Sequence, residues 1–443
     1  MSLPHDFVAS VSAIPGLDQP EAFLKALEGE VPISIRLNLA KQSSQPDHLK
    51  SVPWSEHGYY LDERPSFTAD PLFHAGAYYV QEASSMVIGS VVSKLIEQYY
   101  ADESIHVLDL CGAPGGKSTD IMSQLREDDL LLSNEVVQSR AQILKENVIK
   151  WGYPNHLVSQ NDPRDFDRLP GFFQIVVVDA PCSGEGMFRK DEDARNEWSL
   201  DHVALCGARQ ERIVADVWDS VVEGGFLIYS TCTFNTRENE QVQEFIQSNF
   251  EAEVIDLSTL GVAASGSIKR FFPHQEAGEG FSFFVVRKTS PTTAVRFKSR
   301  VGGVKFDTIA IERDGLFVSH QDQILFQTHP ETSELLQKNL RLIRSGLQIG
   351  SLKKNKLVPS HELAMSIENR DFFPRLELTL EQAQAYLRCE TFDLESTSRG
   401  YHEVSFRDLP LGYINHLGNR FNNNYPSNWR IRTNRELIYQ SIF

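Results

Sequence analysis

Five short apolar runs, separated by amphipathic stretches, constrain the fold of this 443-residue chain more than any other feature. The runs have the length of strands and cover residues 105–110, 130–133, 156–159, 174–178 and 225–230. The stretches between them, such as 136–151, are long enough to be crossover helices. Strands that alternate with such helices are typical of βαβ units. We therefore predict an α/β fold with a mainly parallel sheet from about residue 69 to residue 288.

Acidic residues and a glycine-rich loop follow these runs. In open α/β sheets, ligands bind beyond the carboxyl ends of the strands. The first run continues into the loop 109–118, and the next three are followed by Glu135, Asp162 and Asp179. Glycines let a backbone approach a ligand closely, and an acid at the next strand can accept hydrogen bonds from ribose hydroxyls. The pattern indicates a nucleoside cofactor, although Glu135 and Asp162 could each simply cap a helix.

The spacing of the glycines narrows the choice of cofactor. A phosphate-binding P-loop needs four residues between its first glycine and its Gly-Lys pair, whereas Gly112 and Gly116 enclose three. The dinucleotide pattern G-x-G-x-x-G is also absent. Three acids would repel a pyrophosphate and suit a cofactor with positive charge, which favours S-adenosylmethionine. A P-loop-like nucleotidase remains the alternative from this loop.

Two of the five cysteines lie beyond strands on the cofactor side. Cys182 follows the fourth run and Cys232 the fifth. A thiolate that adds to carbon 6 of a pyrimidine makes carbon 5 nucleophilic enough to take a methyl group, so these thiols indicate covalent catalysis. Lys117 and Lys190 are candidates to favour the thiolate, and Asp179 is placed to face ring nitrogen 3. No Cys-x-x-Cys pair occurs, so we expect reduced thiols and no metal.

The charge of the chain limits how it can meet a polyanion. Its 60 acidic and 43 basic residues give a formal charge of -17, which excludes binding through the whole surface. Residues 341–360 contain no acid and form the best local basic patch. Such a run can also be a solvated face. Its basic residues are Arg341, Arg344, Lys353, Lys354 and Lys356.

Several of these motifs together resemble the Sun-type RNA 5-methylcytosine methyltransferases. The matching segments are 36–38, 79–84, 109–117, 179–184 and 230–233. The resemblance implies a Rossmann-like S-adenosylmethionine-dependent domain in which Cys232 is the nucleophile and Cys182 releases the product. DNA cytosine methyltransferases use a Pro-Cys nucleophile instead, so Cys182 is the rival nucleophile.

The resemblance also implies a cofactor site. Asp179 is assigned both to this site and to the target cytosine, with Glu135 at the ribose and Asp162 at the adenine. The methionine end of the cofactor is expected at the backbone of Cys111, Gly112, Ala113, Pro114, Gly115, Gly116 and Lys117.

The tail resembles one bacterial branch of this family that methylates RNA of the small ribosomal subunit. Segments 346–361 and 409–432 are similar to its carboxyl-terminal extension and PUA-like β module. Arginines interleaved with Phe421, Tyr425 and Trp429 could hold phosphates and stack on bases, or the aromatics could form the core of the module. Another branch carries a long helical domain ahead of its catalytic core, for which the sequence before Arg36 has no room.

We predict four regions from these observations. They are an amino-terminal RNA-binding subdomain (1–68), the Rossmann-like methyltransferase domain (69–289), a central extension (290–370) and a PUA-like RNA-binding module (371–443). The polar stretch 289–293 is the predicted linker. The amino terminus lacks an apolar leader, and the apolar stretch 86–96 is too short to span a bilayer.

The predicted activity is S-adenosylmethionine-dependent methylation of carbon 5 of a cytosine in 16S rRNA, within the 30S subunit. We expect a cytoplasmic monomer with no membrane contact. The alternatives are the same chemistry on tRNA or on another rRNA site, and a non-catalytic ribosome assembly factor.

Overall fold

The computed structural model describes residues 2–443 apart from positions 43–45, 265, 300, 307, 321, 355, 369–371, 395–397 and 434–437. The α-helices are α1 His5–Ser10, α2 Pro20–Ala26, α3 Pro71–Ala75, α4 Val87–Tyr99, α5 Gly116–Gln124, α6 Gln138–Trp151, α7 Glu192–Glu197, α8 Leu200–Val217, α9 Glu240–Asn249, α10 Pro330–Asn339, α11 His361–Met365 and α12 Leu380–Leu387.

The strands are β1 Ile33–Leu37, β2 Lys50–Ser51, β3 Gly58–Leu61, β4 Tyr78–Val80, β5 His106–Asp109, β6 Leu130–Asn134, β7 His156–Ser159, β8 Phe173–Asp179, β9 Val221–Thr231, β10 Ala252–Val254, β11 Lys269–Phe271, β12 Phe281–Lys288, β13 Leu316–His320, β14 Gln323–Gln327, β15 Leu342–Arg344, β16 Leu347–Lys353, β17 Lys356–Pro359, β18 Arg375–Glu377, β19 Gly400–Phe406, β20 Leu409–His416 and β21 Phe421–Asn423.

A nine-stranded sheet forms the centre of the molecule. Its order is β10-β12-β9-β8-β5-β6-β7-β15, with β11 paired to β12. The strands β5 to β9 run parallel to one another, and β12 is antiparallel to β9. The five predicted strands and the helix predicted over 136–151 are confirmed, with bounds shifted by a few residues. The carboxyl end of β5 lies where the strand order reverses, the position at which α/β sheets bind ligands.

Helices cover both faces of this sheet. The helices α4, α5 and α6 bury their apolar sides on one face. On the other face lie α8, α9 and α10 with the 3-10 turn Pro163–Arg168. The buried strands read as nearly continuous apolar runs because neither face meets water.

Smaller sheets flank the central one. The amino-terminal sheet has the order β2-β3-β1-β4, and two carboxyl-terminal sheets have the orders β13-β14-β16-β17 and β18-β19-β20-β21. The amino-terminal sheet and the last sheet share one apolar core, in which Ile35 and Tyr78 lie with Leu387 and Ile414. The two ends of the chain are therefore packed together.

The aromatic residues of the tail belong to this packing. Phe421 and Tyr425 are buried, and Trp429 is half-buried against the same core. The prediction that Phe421 and Tyr425 stack on bases is therefore wrong, and the alternative of a β module with an aromatic core is confirmed. Burying two large rings stabilises a small sheet more than exposing them would.

The basic run 341–360 is divided by the fold. Arg344 is buried, and its Nε donates to Oε1 of Glu362 at 2.7 Å. Its other nitrogens donate to the carbonyls of Tyr153 and His156. Arg344 thus fastens β15 to the edge of the central sheet and contributes no charge to the surface. Arg341, Lys353, Lys354 and Lys356 remain exposed.

Among the helices of the described residues, none has both the length and the apolar character needed to cross a bilayer.

We expect Arg344→Ala to lower the free energy of unfolding by about 3–5 kcal/mol, because it leaves Glu362 as a buried charge without its partner. Urea unfolding measures the change. The control Arg341→Ala removes an exposed arginine three residues away and should alter stability by no more than about 0.5 kcal/mol. Equal losses in the two variants would contradict the assigned role of Arg344.

Candidate active site

A cavity of about 300 Å³ lies at the carboxyl ends of the parallel strands. Its floor is the loop between β5 and α5, which contains a cis peptide bond between Ala113 and Pro114. Gly115 has φ +119°, a conformation that favours glycine, and it allows the chain to turn into α5. The Asn134 side chain donates to the Leu110 carbonyl and so ties this loop to the end of β6.

Most of the predicted site residues line this cavity. The structure brings together Cys111, Gly112, Ala113, Pro114, Gly116, Lys117, Asp179 and Cys232. Gly115 is not part of the lining but shapes the loop. Cys182 is not part of the lining either, but its sulfur contacts that of Cys232.

Glu135 and Asp162 do not reach the cavity lining. Glu135 is buried, accepts a hydrogen bond from the Val137 amide and lies 3.3 Å from Arg140. Asp162 accepts from the Arg164 amide and caps a 3-10 turn. Asp162 thus has the local capping role that the sequence left open as the alternative, whereas Glu135 accepts from the amide of the residue before α6 and does not cap that helix.

The two cysteine sulfurs are 3.1 Å apart. The hydrogen bond to Cys232, together with burial, raises the pKa of the Cys182 thiol well above its ordinary value. Either thiol can donate this hydrogen bond, and the raised pKa means that Cys182 holds its own proton strongly. Cys232 is also the sulfur that lines the cavity. The geometry favours Cys232 over its rival as nucleophile.

A charged pair stands beside Cys232. Lys117 Nζ lies 2.9 Å from Asp179 Oδ2, and Ser230 Oγ donates to the other carboxylate oxygen at 2.8 Å. Burial opposes the charge on Lys117, but Asp179, Asp109 and Cys232 outweigh it and raise the pKa of Lys117. A cation held here stabilises a thiolate on Cys232. Lys190, the second candidate, also lines the cavity but faces Glu279 at 3.4 Å.

Two buried glutamates hold the cysteine loops together, and the sequence analysis missed both. Glu238 accepts hydrogen bonds from the Ser183 amide at 3.0 Å and from Gln210 Nε2 at 2.8 Å. Glu185 accepts from the Phe234 amide at 2.7 Å, and burial raises its pKa to about 7. Glu185 follows Cys182 in the chain and binds the segment after Cys232, whereas Glu238 follows Cys232 and binds the segment after Cys182. The sequence shows this pattern only once the two loops are known to lie together.

The amino-terminal sheet supplies another wall of the cavity through Gln81 and its neighbours in the segment 79–82. Arg36 is buried, and its Nε donates to Gln81 Oε1 at 2.9 Å. The same guanidinium lies 3.5 Å from Asp120 and 4.5 Å from the centre of the Trp151 ring. Arg36 thus joins the amino-terminal sheet to α5 and α6. Glu279, Gly280 and Phe281 also line the cavity, and no motif pointed to them.

The loop has the shape that a nucleoside cofactor requires. A side chain at Gly112 would meet Ser118 Oγ at 2.7 Å, so the backbone there is packed as closely as a glycine allows. Asp109 is buried beneath it, accepts from Ser118 Oγ at 2.5 Å, and has its pKa raised by burial to about 7. The backbone of this loop and the carboxylate of Asp179 both line the cavity, so these two parts of the site fit a nucleoside cofactor that carries positive charge.

Four family models match successive parts of the chain. The family model for "16S rRNA methyltransferase RsmB/F" matches residues 99–287. Models for the N-terminal domain of 16S rRNA methyltransferase RsmF, the first C-terminal domain of RsmF rRNA methyltransferase and the methyltransferase RsmF PUA domain match 3–83, 305–367 and 373–431.

Relatives match along nearly the whole chain. Ribosomal RNA small subunit methyltransferase F of Shewanella piezotolerans is 30% identical over 89% of this chain and 90% of its own length. The protein of the same name from Aliivibrio salmonicida is 29% identical, covering 96% of this chain and 97% of its own.

Solved structures share the fold. A methyltransferase homolog from Pyrococcus horikoshii superposes with a TM-score of 0.52 at 23% identity, over 65% of this chain and 100% of that one. NSun6 from the same organism, solved with SFG, gives 0.54 at 19% identity, over 65% and 98%.

The raised pKa of Asp109 predicts a pH effect on stability. The folded chain keeps this proton up to about pH 7, whereas the unfolded chain loses it near about pH 4. Between these values the folded state binds more protons, so rising pH removes stability through this group. Asp109→Asn cannot ionise, and its stability relative to the unmodified chain should therefore rise as the pH increases over this range.

Urea unfolding of both proteins at several pH values measures this difference. The same substitution at the exposed Asp102 controls for the loss of a surface carboxylate. A difference between Asp109→Asn and the unmodified chain that does not change with pH would contradict the prediction.

Proposed function

Since the chain belongs to the RsmB/F family of 16S rRNA methyltransferases, we propose that it methylates carbon 5 of a cytosine in 16S rRNA, with S-adenosylmethionine as donor. The observation that carries the cytosine-5 assignment is the pair of sulfurs 3.1 Å apart, with Cys232 in the cavity beside Lys117 and Asp179. Methylation of an exocyclic nitrogen or a ribose oxygen needs no thiol, whereas carbon 5 needs one.

The proposed reaction begins on Cys232. Its thiolate adds to carbon 6 of the cytosine, which makes carbon 5 nucleophilic. S-adenosylmethionine supplies the methyl group that carbon 5 takes. A base then removes the proton from carbon 5, the bond between sulfur and carbon 6 breaks, and Cys232 leaves as a thiolate. The Cys182 thiol lies 3.1 Å from that sulfur and is placed to donate a hydrogen bond to the departing thiolate, while the proton from carbon 5 goes to the base.

In this proposal the pair of Lys117 and Asp179 acts on both the target base and the thiolate of Cys232. Asp179 faces the target base, and Lys117 compensates the negative charge that the thiolate brings. The cofactor is proposed to lie on the backbone of 111–117, with Glu135 at its ribose and Asp162 at its adenine. Neither Glu135 nor Asp162 lines the cavity, so in this proposal the bound cofactor extends past the cavity lining to contact them.

The proposed target is a cytosine of the small ribosomal subunit, which places a monomeric enzyme in the cytoplasm with its substrate. The regions 1–68 and 371–443, which share one apolar core, are proposed to contact the RNA around the target base. The target base must leave its stack, at a cost of a few kcal/mol that is least for an exposed base.

Transfer of labelled methyl groups tests the proposal. The substrates are small subunits that lack this methyl group, naked 16S rRNA and tRNA, and the modified base is then mapped. Label on 5-methylcytosine in 16S rRNA supports the proposal. Label on tRNA alone would keep the chemistry and overturn the substrate. Binding of subunits without any transfer would favour an assembly factor.

Variants of the two cysteines distinguish the role of Cys232 in methyl transfer from that of Cys182 in product release. Cys232→Ala should abolish transfer, because no thiolate reaches carbon 6. Cys182→Ala should transfer a methyl group but accumulate protein bound covalently to RNA, seen as a slower band in a denaturing gel. The matched control is Cys206→Ala, whose thiol is buried in α8 away from the cavity lining. Normal turnover by Cys232→Ala would refute the assignment.

A further inference from the structure

Three further cavities follow one another along α6, starting at the active site. The first, of about 140 Å³, shares Tyr79 and Val80 with the active-site cavity. The second, of about 390 Å³, lies one turn away, because Lys150 lines the first and Glu146 the second. The third, of about 380 Å³, shares Lys145 with the second. We call these three cavities together the α6 groove.

The opposite wall of the α6 groove comes from the carboxyl-terminal sheets. Trp429 and Asn428 line the second cavity, and Gln348 lines the second and third. The ring of Trp429 lies 5.1 Å from Lys150 Nζ, and Asn428 Nδ2 lies 3.2 Å from Glu146 Oε1. The half-buried Trp429 thus lines the second cavity, and amide side chains line the second and third cavities.

The charge of the groove is positive, although the whole chain is acidic. Lys145 and Arg341 line it, and no ion pair holds either of them within the described part of the chain. The groove's two acids are already engaged, since Glu362 is paired with Arg344 and Glu146 accepts from Asn428.

The far end of the groove leads to a basic hairpin. Gln323 at the start of β14 lines the third cavity and pairs with Ser351 of β16. Two residues further along β16, Lys353 pairs with Lys356 of β17 at the tip of the hairpin. The exposed side chains of Lys353, Lys354 and Lys356 thus continue the line of cations, with Asp322 as the acidic residue whose backbone touches the hairpin.

We propose that the α6 groove binds the single-stranded RNA that flanks the target cytosine, leading it from Cys232 to the β16–β17 hairpin. This inference rests on the proposed function. Cations without acidic partners neutralise phosphates, while amide groups hydrogen-bond to unpaired bases and a tryptophan offers a surface for them. The groove begins beside the cavity that the target base must enter, since Tyr79 and Val80 line both, and it therefore offers a path for the RNA that flanks this base.

Salt dependence of RNA binding tests the groove. The triple variant Lys145→Gln, Lys353→Gln, Lys356→Gln removes three proposed phosphate contacts. The control variant Lys94→Gln, Arg209→Gln, Arg212→Gln makes the same change in net charge on α4 and α8, away from the groove. Binding of an unmodified 16S rRNA transcript is measured by filter retention between about 50 and 200 mM salt.

The groove variant should weaken binding and make the slope of log K against log salt shallower by about 2, since each phosphate contact on single strands contributes about 0.7. The control should keep the slope of the unmodified chain. Equal slopes in all three proteins would overturn the proposal. So would loss of binding to assembled subunits with unchanged binding to the transcript, because the groove would then hold a ribosomal protein.

A methyl-transfer assay at saturating RNA separates this inference from the proposed function. The groove variant should retain most of its maximal rate, because Cys232 and its neighbours are untouched, and should show a raised KM. If the unmodified chain itself transfers no methyl group, the proposed function fails whatever the slopes are.

Discussion

Parallel strands that are joined by crossover helices must all end at the same edge of their sheet, and the site depends on this constraint. Residues that are far apart in the chain become neighbours in this way, since Asp109 ends β5, Asp179 ends β8 and Cys232 directly follows β9. The sheet order places β5 between β6 and β8, which opens a cavity at the glycine loop. The cysteine loops then need only a local clamp, and Glu185 and Glu238 provide it.

The sequence predicts this part of the molecule well, since strand length, helical spacing and the residues after each strand are local properties. The five strands, the glycine loop and the position of Cys232 in the cavity could all be anticipated from it. The roles of Glu238 and Arg36 could not be anticipated from the sequence, because the partners of each residue come near it only in the folded chain. In the tail, composition alone gave a wrong prediction. Arginines beside Phe421 and Tyr425 are typical of a surface that stacks on bases, but both rings are buried in a core.

The amino-terminal and carboxyl-terminal sheets share that core, and this has a bearing on the site. Gln81 lines the cavity and is held by Arg36 of β1, whose guanidinium also lies against Asp120 of α5. The first strands of the chain are thus held from two directions, by the catalytic sheet and by the last module. Changes in the tail can therefore reach the cavity through packing, without any contact with substrate.

The short strand β15 gives the central sheet its final edge. It pairs with β7 through Leu342 and Arg344, although it belongs to a segment of the chain far from the other strands of that sheet. An uncovered β7 would present a row of free amides and carbonyls, which other chains can pair with. The region after residue 289 thus covers this edge of the catalytic sheet, and a chain shortened to the methyltransferase core would expose the backbone groups of β7 even if its active site were intact.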